Sequence, residues 1–403
     1  MKPEMSHGAA AGGQSWADDV DSDLSRETRA LLACAAAILQ PDRLPAALEA
    51  LEACPDVDAL CRKAGAHGMI GQLNQVLAVQ GGEAARRLSV LQRSLAERGL
   101  RQTARLLPAM QLLEQAGIDI MPYKGPVWAE RFYGDLTLRN WSDIDVLVPF
   151  RRVADARRLL VENGFTDSHD FNGRLLTQRG RGGGEIALSE KDGDVHLEIH
   201  WDVAAGSSRM YLRAESLIGR GERLDLLGRQ VLTPCPVDAF LITCLNGAKD
   251  HWESVEGLLC AAVQIRDTAP TAWAQMLSAA KRAGCLRRTV VAVAHVSRVF
   301  GLETPVAVAA VLARDKAAQA LLSELSPRGL DAGHSLALEP QLGLLHWRFA
   351  SEDSLVARLA HGARRFFQPG PEDWSWLVLP PGSRWLYRVL RPGRLAVKWA
   401  KRL

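Results

Sequence analysis

The 403-residue chain is most informative at first for what it lacks. No apolar run is long enough to cross a bilayer, so a membrane-spanning protein is excluded as far as helices go. Charge of one sign is not in excess: 49 Lys and Arg stand against 46 Asp and Glu, a net charge of +3. That balance is too mild to argue for a nucleic-acid binder, and with aromatics at 6% there is no stacking platform to go with it. The seven cysteines (34, 54, 61, 235, 244, 260, 285) fall at no paired or metal-ligand spacing. Without a signal-peptide pattern they read as reduced, mostly buried thiols, and a cytoplasmic location is expected. What remains is ordinary globular material, 47% apolar and 24% charged, enough for two or three domains with sizeable cores.

Periodicity divides the chain. Residues 1–23 are rich in Gly, Ala, Ser and Asp, lack a repeat, and are expected to form a disordered leader. Residues 24–117 read as helices, with leucines at helical spacing, Pro41 and Pro55 as punctuation, and one long pattern from Glu83 to Gln115 as a helix or helix pair. A core with strands is expected over 118–203, a helical domain over 204–365, and a basic tail over 366–403.

The chemistry concentrates between Met121 and Val148. Asp143-Ile144-Asp145 runs into Val146-Leu147-Val148, which reads as a strand. Period-two geometry projects Asp143 and Asp145 from one face, and two carboxylates so close call for a neutralising cation. Mg²⁺, or Mn²⁺, bound by a couple of carboxylates and substrate phosphates meets that need. Upstream, Lys124-Gly125 precedes a short helical pattern from Pro126 to Tyr133, a turn where backbone N–H groups can approach an anion. Ser142 adjoins the acids, and Arg139 lies where a guanidinium could grip phosphate. The bland alternative is a solvated strand edge carrying two acids.

A third carboxylate is sought on a second strand. Glu185–Ser189 and Val195–Trp201 are β-rich and flank Lys191-Asp192-Gly193-Asp194, so a hairpin is expected. Alternation puts His196, Glu198 and His200 on one face, and Leu197 and Ile199 on the other. The two histidines could suggest zinc, but no cysteine or further histidine stands at ligand spacing to close such a site.

The order Lys-Gly, helix, Tyr-Gly-Asp, Arg, Ser-Asp-Ile-Asp-Val-Leu-Val resembles the uncharacterised bacterial nucleotidyltransferase family of the DNA polymerase β superfamily. Leu197-Glu-Ile-His-Trp201, the Asn246-Gly-Ala-Lys-Asp-His-Trp252 helix and the 373–394 segment resemble further family segments, so the likeness runs from about residue 60. It implies an α+β fold: a small mixed sheet of polymerase β type between N- and C-terminal helical regions. It also implies transfer of a nucleoside monophosphate from an NTP, expected to be ATP, with pyrophosphate release. Asp143, Asp145 and Glu198 would be the catalytic and metal-holding acids. Lys124, Gly125, Arg139, Ser142 and Lys249 would bind the nucleotide. The implied acceptor is a hydroxyl or phosphate, with a peptide or protein as one candidate.

Glu198 stands where Asp is more usual, Asn246 where His is, and Pro126 where Ser is. These departures keep a second reading open, a catalytically silent nucleotide- or peptide-binding partner. RNA-end modification ranks below both. Arg384, Arg388, Arg391, Arg394, Lys398 and Lys401 would share one side of a C-terminal helix interrupted by Pro392, a face for weak membrane-surface contact.

Overall fold

The computed structural model describes residues 24–167, 185–190, 195–203, 210–325, 329–332, 346–369 and 373–400 apart from 374, 375, 378 and 384. The expected leader (1–23), the Gly- and Arg-rich stretch 174–184, the expected turn Lys191–Asp194, and Arg384 and Lys401 of the basic tail lie outside the described residues.

Five helices open the described chain: α1 (Arg26–Leu39), α2 (Leu44–Glu52), α3 (Val57–Ala66), α4 (Ile70–Gln80) and α5 (Gly82–Gln115). Side chains of Ser25 and Asp56 cap α1 and α3, each accepting a backbone N–H that the first helical turn leaves without an internal partner. The long leucine pattern forms one 34-residue helix, α5, which runs through Pro108.

The sheet follows. β1 (Met121–Pro122), β2 (Ile144–Leu147), β3 (Phe165–Asp167), β4 (Glu185–Glu190) and β5 (His196–His200) stand in the order β1-β2-β5-β4-β3. β2 and β5 are parallel and the other pairs antiparallel, so the sheet is mixed as expected. Helices α6 (Gly125–Tyr133) and α7 (Val153–Glu162) connect its first three strands. One sheet face is apolar: Ile144, Val146, Leu197 and Ile199 share a core with Leu106, Met110 and Leu113 of α5 and Ala156 and Leu160 of α7. Asp145, Glu198 and His200, one residue out of phase, belong to the other face.

Several sequence expectations need correction. β2 begins at Ile144, so Asp143 precedes the strand. Continued register would pair position 143 with Gly125, but there the chain has already turned into α6. Phe165–Asp167 forms an edge strand, paired antiparallel with β4. The stretch after Trp201 is not wholly helical. After α8 (Ala214–Ile218), β6 (Glu222–Leu226) and β7 (Arg229–Thr233) form a hairpin. Its turn residues Leu227 and Gly228 both have positive φ (54° and 79°), and Asp225 Oδ1 accepts the Gly228 N–H at 2.9 Å.

The remaining helices are α9 (Pro236–Lys249), α10 (Val255–Asp267), α11 (Trp273–Ala283), α12 (Leu286–Phe300), α13 (Val306–Leu312), α14 (Lys316–Glu324), α15 (Gly329–Ala332), α16 (Leu355–Phe367) and α17 (Leu386–Ala400). α13 and α14 are separate helices because Asp315 caps a new start by accepting the Ala317 and Ala318 N–H groups. α9 ends at Lys249 rather than running through Trp252, and α17 continues through Pro392. N- and C-terminal helices share one core that holds Leu31, Leu73, Phe240, Leu258 and Val293. His67 is buried and accepts the Val255 N–H across that junction at 3.4 Å.

Candidate active site

The parallel pairing of β2 with β5 sets the site. Asp145 lies directly beside Glu198, and His200 follows two residues on along the same face. Asp145 is 7% exposed and Glu198 half-buried. Their carboxylate oxygens and a His200 ring nitrogen all lie within 4.8 Å of one another, a group that could hold a metal ion. His200 Nε2 is 2.8 Å from Asp145 Oδ1 and 3.3 Å from Glu198 Oε2, and Nδ1 is 3.4 Å from Glu185 Oε2. Buried Nε2 therefore faces both acids at once. The imidazole is thus paired with both acids here, and would have to give up its Nε2 proton to ligate a divalent cation at the same point.

Each of Asp145 and His200 favours the charged form of the other. Burial alone would raise the Asp145 pKa, but His200 and Lys124 outweigh it and hold the carboxyl below its ordinary value. Burial alone would lower the His200 pKa, but Asp145 and Glu198 outweigh it and raise the imidazole above its ordinary value. Tyr123 closes the floor. Its ring meets the His200 ring edge-on at 5.5 Å, and burial followed by the nearby carboxylates pushes its phenol well above the usual range.

Lys124 enters from the turn between β1 and α6, its Nζ 3.3 Å from Asp145 Oδ1. Its backbone has φ 67° and ψ −159°, a region that residues with a Cβ rarely adopt. Gly125 follows with φ 46°, and a Cβ there would come 3.7 Å from the Trp141 ring. This pair of conformations turns the chain off β1 so that the N-terminus of α6 opens beside Asp145.

Sequence reasoning grouped more residues than the structure brings together. Asp145, Glu198 and Lys124 converge. Asp143 is half-buried and outside the three-residue cluster, and its carboxylate accepts the hydroxyl of exposed Ser142. Arg139 Nε makes an ion pair with Glu256 at 2.8 Å, and its Nη1 reaches the Gly125 carbonyl at 3.5 Å. Its charge is thus answered inside the protein, between the turn and α10. Lys249 is exposed at the end of α9 and makes no ion pair with a described residue. His251 and Trp252 have positive φ, and Trp252 packs in the core against Gly247, where a Cβ would meet the indole at 2.5 Å. His196 points away to Ser189 Oγ at 2.9 Å, so the two histidines do not act together. His200 was the donor missed; its signal was the alternation that already placed it beside Glu198.

No curated protein and no solved structure matches the chain. A family model does match, over residues 54–301, which takes in α3 through α12 with the whole sheet and the β6–β7 hairpin, and leaves the 373–394 segment outside. With this match covering more than half its length, the chain belongs to the uncharacterised nucleotidyltransferase family.

Proposed function

We propose that the protein transfers a nucleoside monophosphate from an NTP to an acceptor hydroxyl or phosphate, with Mg²⁺ or Mn²⁺. The observation that carries this reading is the cluster of Asp145, Glu198 and His200 beside a strained Lys-Gly turn at a helix N-terminus. Two carboxylates and an imidazole fit a divalent ion, and the imidazole makes Mn²⁺ as suitable as Mg²⁺. When bound, such an ion would balance charge on the triphosphate and lower the pKa of the attacking group.

The chain's own residues supply the rest. Lys124 and the first turn of α6 bind phosphate oxygens, and Lys249 is available to reach them from α9. Arg139, fixed to Glu256 and the Gly125 carbonyl, holds the turn in place. The acceptor oxygen forms a bond to the α-phosphorus while the bond to the α–β bridging oxygen breaks and pyrophosphate leaves. The acceptor's proton passes to Glu198. Asp143 at the mouth of β2 would complete the acid set once its contact with Ser142 is exchanged.

The test measures pyrophosphate release from each NTP with Mn²⁺ or Mg²⁺. Asp145→Asn is expected to lower it at least ~100-fold with the folded circular dichroism spectrum retained. Full activity in that variant refutes the assignment. The internal pairing of Arg139 with Glu256 favours a second reading, a nucleotide-binding partner without turnover. NTP binding with no pyrophosphate release in the wild type would select it.

A further inference from the structure

We infer that the C-terminal helices α16 and α17 form a docking surface for an anionic lipid membrane, on which the protein lies without crossing it. The inference rests on residues outside the candidate active site.

The first observation is where apolar surface is left uncovered. Of the eighteen large hydrophobic side chains that are exposed among the described residues, eleven fall between Leu355 and Val397. On α16, Leu355, Leu359, Ala363 and Phe366 recur at helical spacing, with Val356 and Phe367 beside them, so one face of the helix is apolar and open. Leu355, Val356 and Leu359 are 69%, 76% and 65% exposed. Ahead of and along α17, Trp385, Val389 and Val397 repeat the pattern at 63%, 63% and 55%. Trp376, 60% exposed, lies between the two helices. Single exposed apolar residues are normal, but a concentration of this kind marks an interaction surface.

The second observation is charge. Residues 355–403 carry ten Lys and Arg against two Asp and Glu, whereas the preceding 354 residues carry 39 against 44. The chain's modest net charge therefore hides a basic end on an acidic body. Asp373, buried, takes Arg391 and Arg394 as partners, while Arg388 stays exposed on α17. Basic groups beside an apolar helical face with tryptophans complement a surface that is anionic outside and apolar just beneath, namely phospholipid headgroups over acyl chains. A protein partner would need matching acids around an apolar patch; a bilayer presents both without a specific sequence. The helices have 13 and 15 residues, and no helix among the described residues is long and apolar enough to cross a membrane.

The experiment floats the full chain with vesicles of phosphatidylcholine alone and of phosphatidylcholine with 30% phosphatidylglycerol. Binding is expected to the anionic vesicles, at least tenfold stronger than to the neutral ones, and to weaken as salt is raised. Leu359→Asp and Trp385→Asp, both at exposed positions, should each lower it at least tenfold, and Arg388→Glu should reduce it on anionic vesicles alone. Pyrophosphate release from NTP in the absence of vesicles should be unchanged in all three. Failure to float with anionic vesicles overturns the proposal. So does a stable dimer in light scattering that Leu359→Asp dissociates, since a second copy would then be what covers this face.

Discussion

The backbone at Lys124 offers the sharpest test of the site, because a charge effect and a strain effect can be separated by two substitutions. Lys124 holds φ 67° and ψ −159° with its ammonium 3.3 Å from Asp145. Lys124→Ala and Lys124→Gly both remove the ammonium, so its contribution cancels between them. Only the Cβ differs. A residue with a Cβ in this region costs about 1–3 kcal/mol, and glycine relieves that cost. Glycine also loosens the unfolded chain, which costs about 0.4–1 kcal/mol relative to alanine. The difference leaves Lys124→Gly more stable than Lys124→Ala by roughly 1–2 kcal/mol, the reverse of the order inside a helix and larger than the few tenths by which N-cap position alone need favour glycine. Urea denaturation followed by circular dichroism reads this as a higher midpoint at unchanged slope. Pyrophosphate release should fall in both variants alike, because activity follows the ammonium. Equal midpoints, or a more stable alanine variant, would show that the turn carries no strain and that Lys124 is not held in place by it.

Three further predictions follow from packing and charge elsewhere. Glu256→Ala strands Arg139, whose side chain is only 14% exposed, and should cost about 3–5 kcal/mol in denaturation, while an Arg139→Met/Glu256→Met double variant should recover much of that loss. Gly71→Ala places a Cβ 2.4 Å from the Leu138 carbonyl oxygen, backbone that cannot yield cheaply, and should cost about 1–3 kcal/mol or more in thermal melts while disturbing the segment that leads to Asp143. His295 is buried in α12, and burial followed by the Arg298 charge lowers its pKa to about 3. The folded imidazole therefore stays neutral where the unfolded chain takes up a proton, so stability falls as pH drops from about 6.5 toward 3, by about 2 kcal/mol at pH 5. His295→Leu should flatten that limb between pH 6 and 4, and an unchanged pH profile would contradict the buried neutral state.

The parts of the fold legible from sequence are those whose cause is local. The acid–isoleucine–acid–valine run gave β2, alternation from Val195 to Trp201 gave β5 and its two faces, and Pro126 beside Gly125 marked the start of α6. Local pattern was weaker where turn chemistry was unusual. The β6–β7 hairpin turns on Leu227-Gly228, and leucine is not the residue one expects at positive φ. β3 has three residues, too few for a period to show. The Asp315 cap was legible as an aspartate before a lysine, but the apolar run around it masked the break. Arg139 was misleading for a different reason. Its partner Glu256 lies 117 residues away, and only the packing of α10 near α6 decides that the guanidinium meets a carboxylate of the protein. His200 shows the converse: its position was readable, but its approach to Asp145 depends on a strand pairing that sequence does not state.

The pairing of Asp145 with Lys124 and His200 bears on the metal reading, and magnitudes decide how. At 3.3 Å the gross attraction between Lys124 and Asp145 is about 5 kcal/mol at an effective dielectric near 20. Desolvation of two ions costs several kcal/mol each, so the pair contributes little net stability and is exchangeable. His200 divides its one Nε2 position between two carboxylates, at 2.8 and 3.3 Å. A structural ion pair is built otherwise, as Arg220 and Asp238 show: a fully buried carboxylate takes two directed bonds, at 2.6 and 3.0 Å, from one guanidinium. On the proposed reading, the triphosphate draws the flexible Lys124 side chain toward its own oxygens, and a divalent cation takes up the charge the lysine leaves on Asp145. Lys124 and His200 then serve to keep a buried carboxylate ionised until substrate arrives, which a neutralised acid could not do. On that reading, the contrast between Asp145 and Asp238, two buried aspartates in one chain, is the contrast between a seat for a cation and a strut.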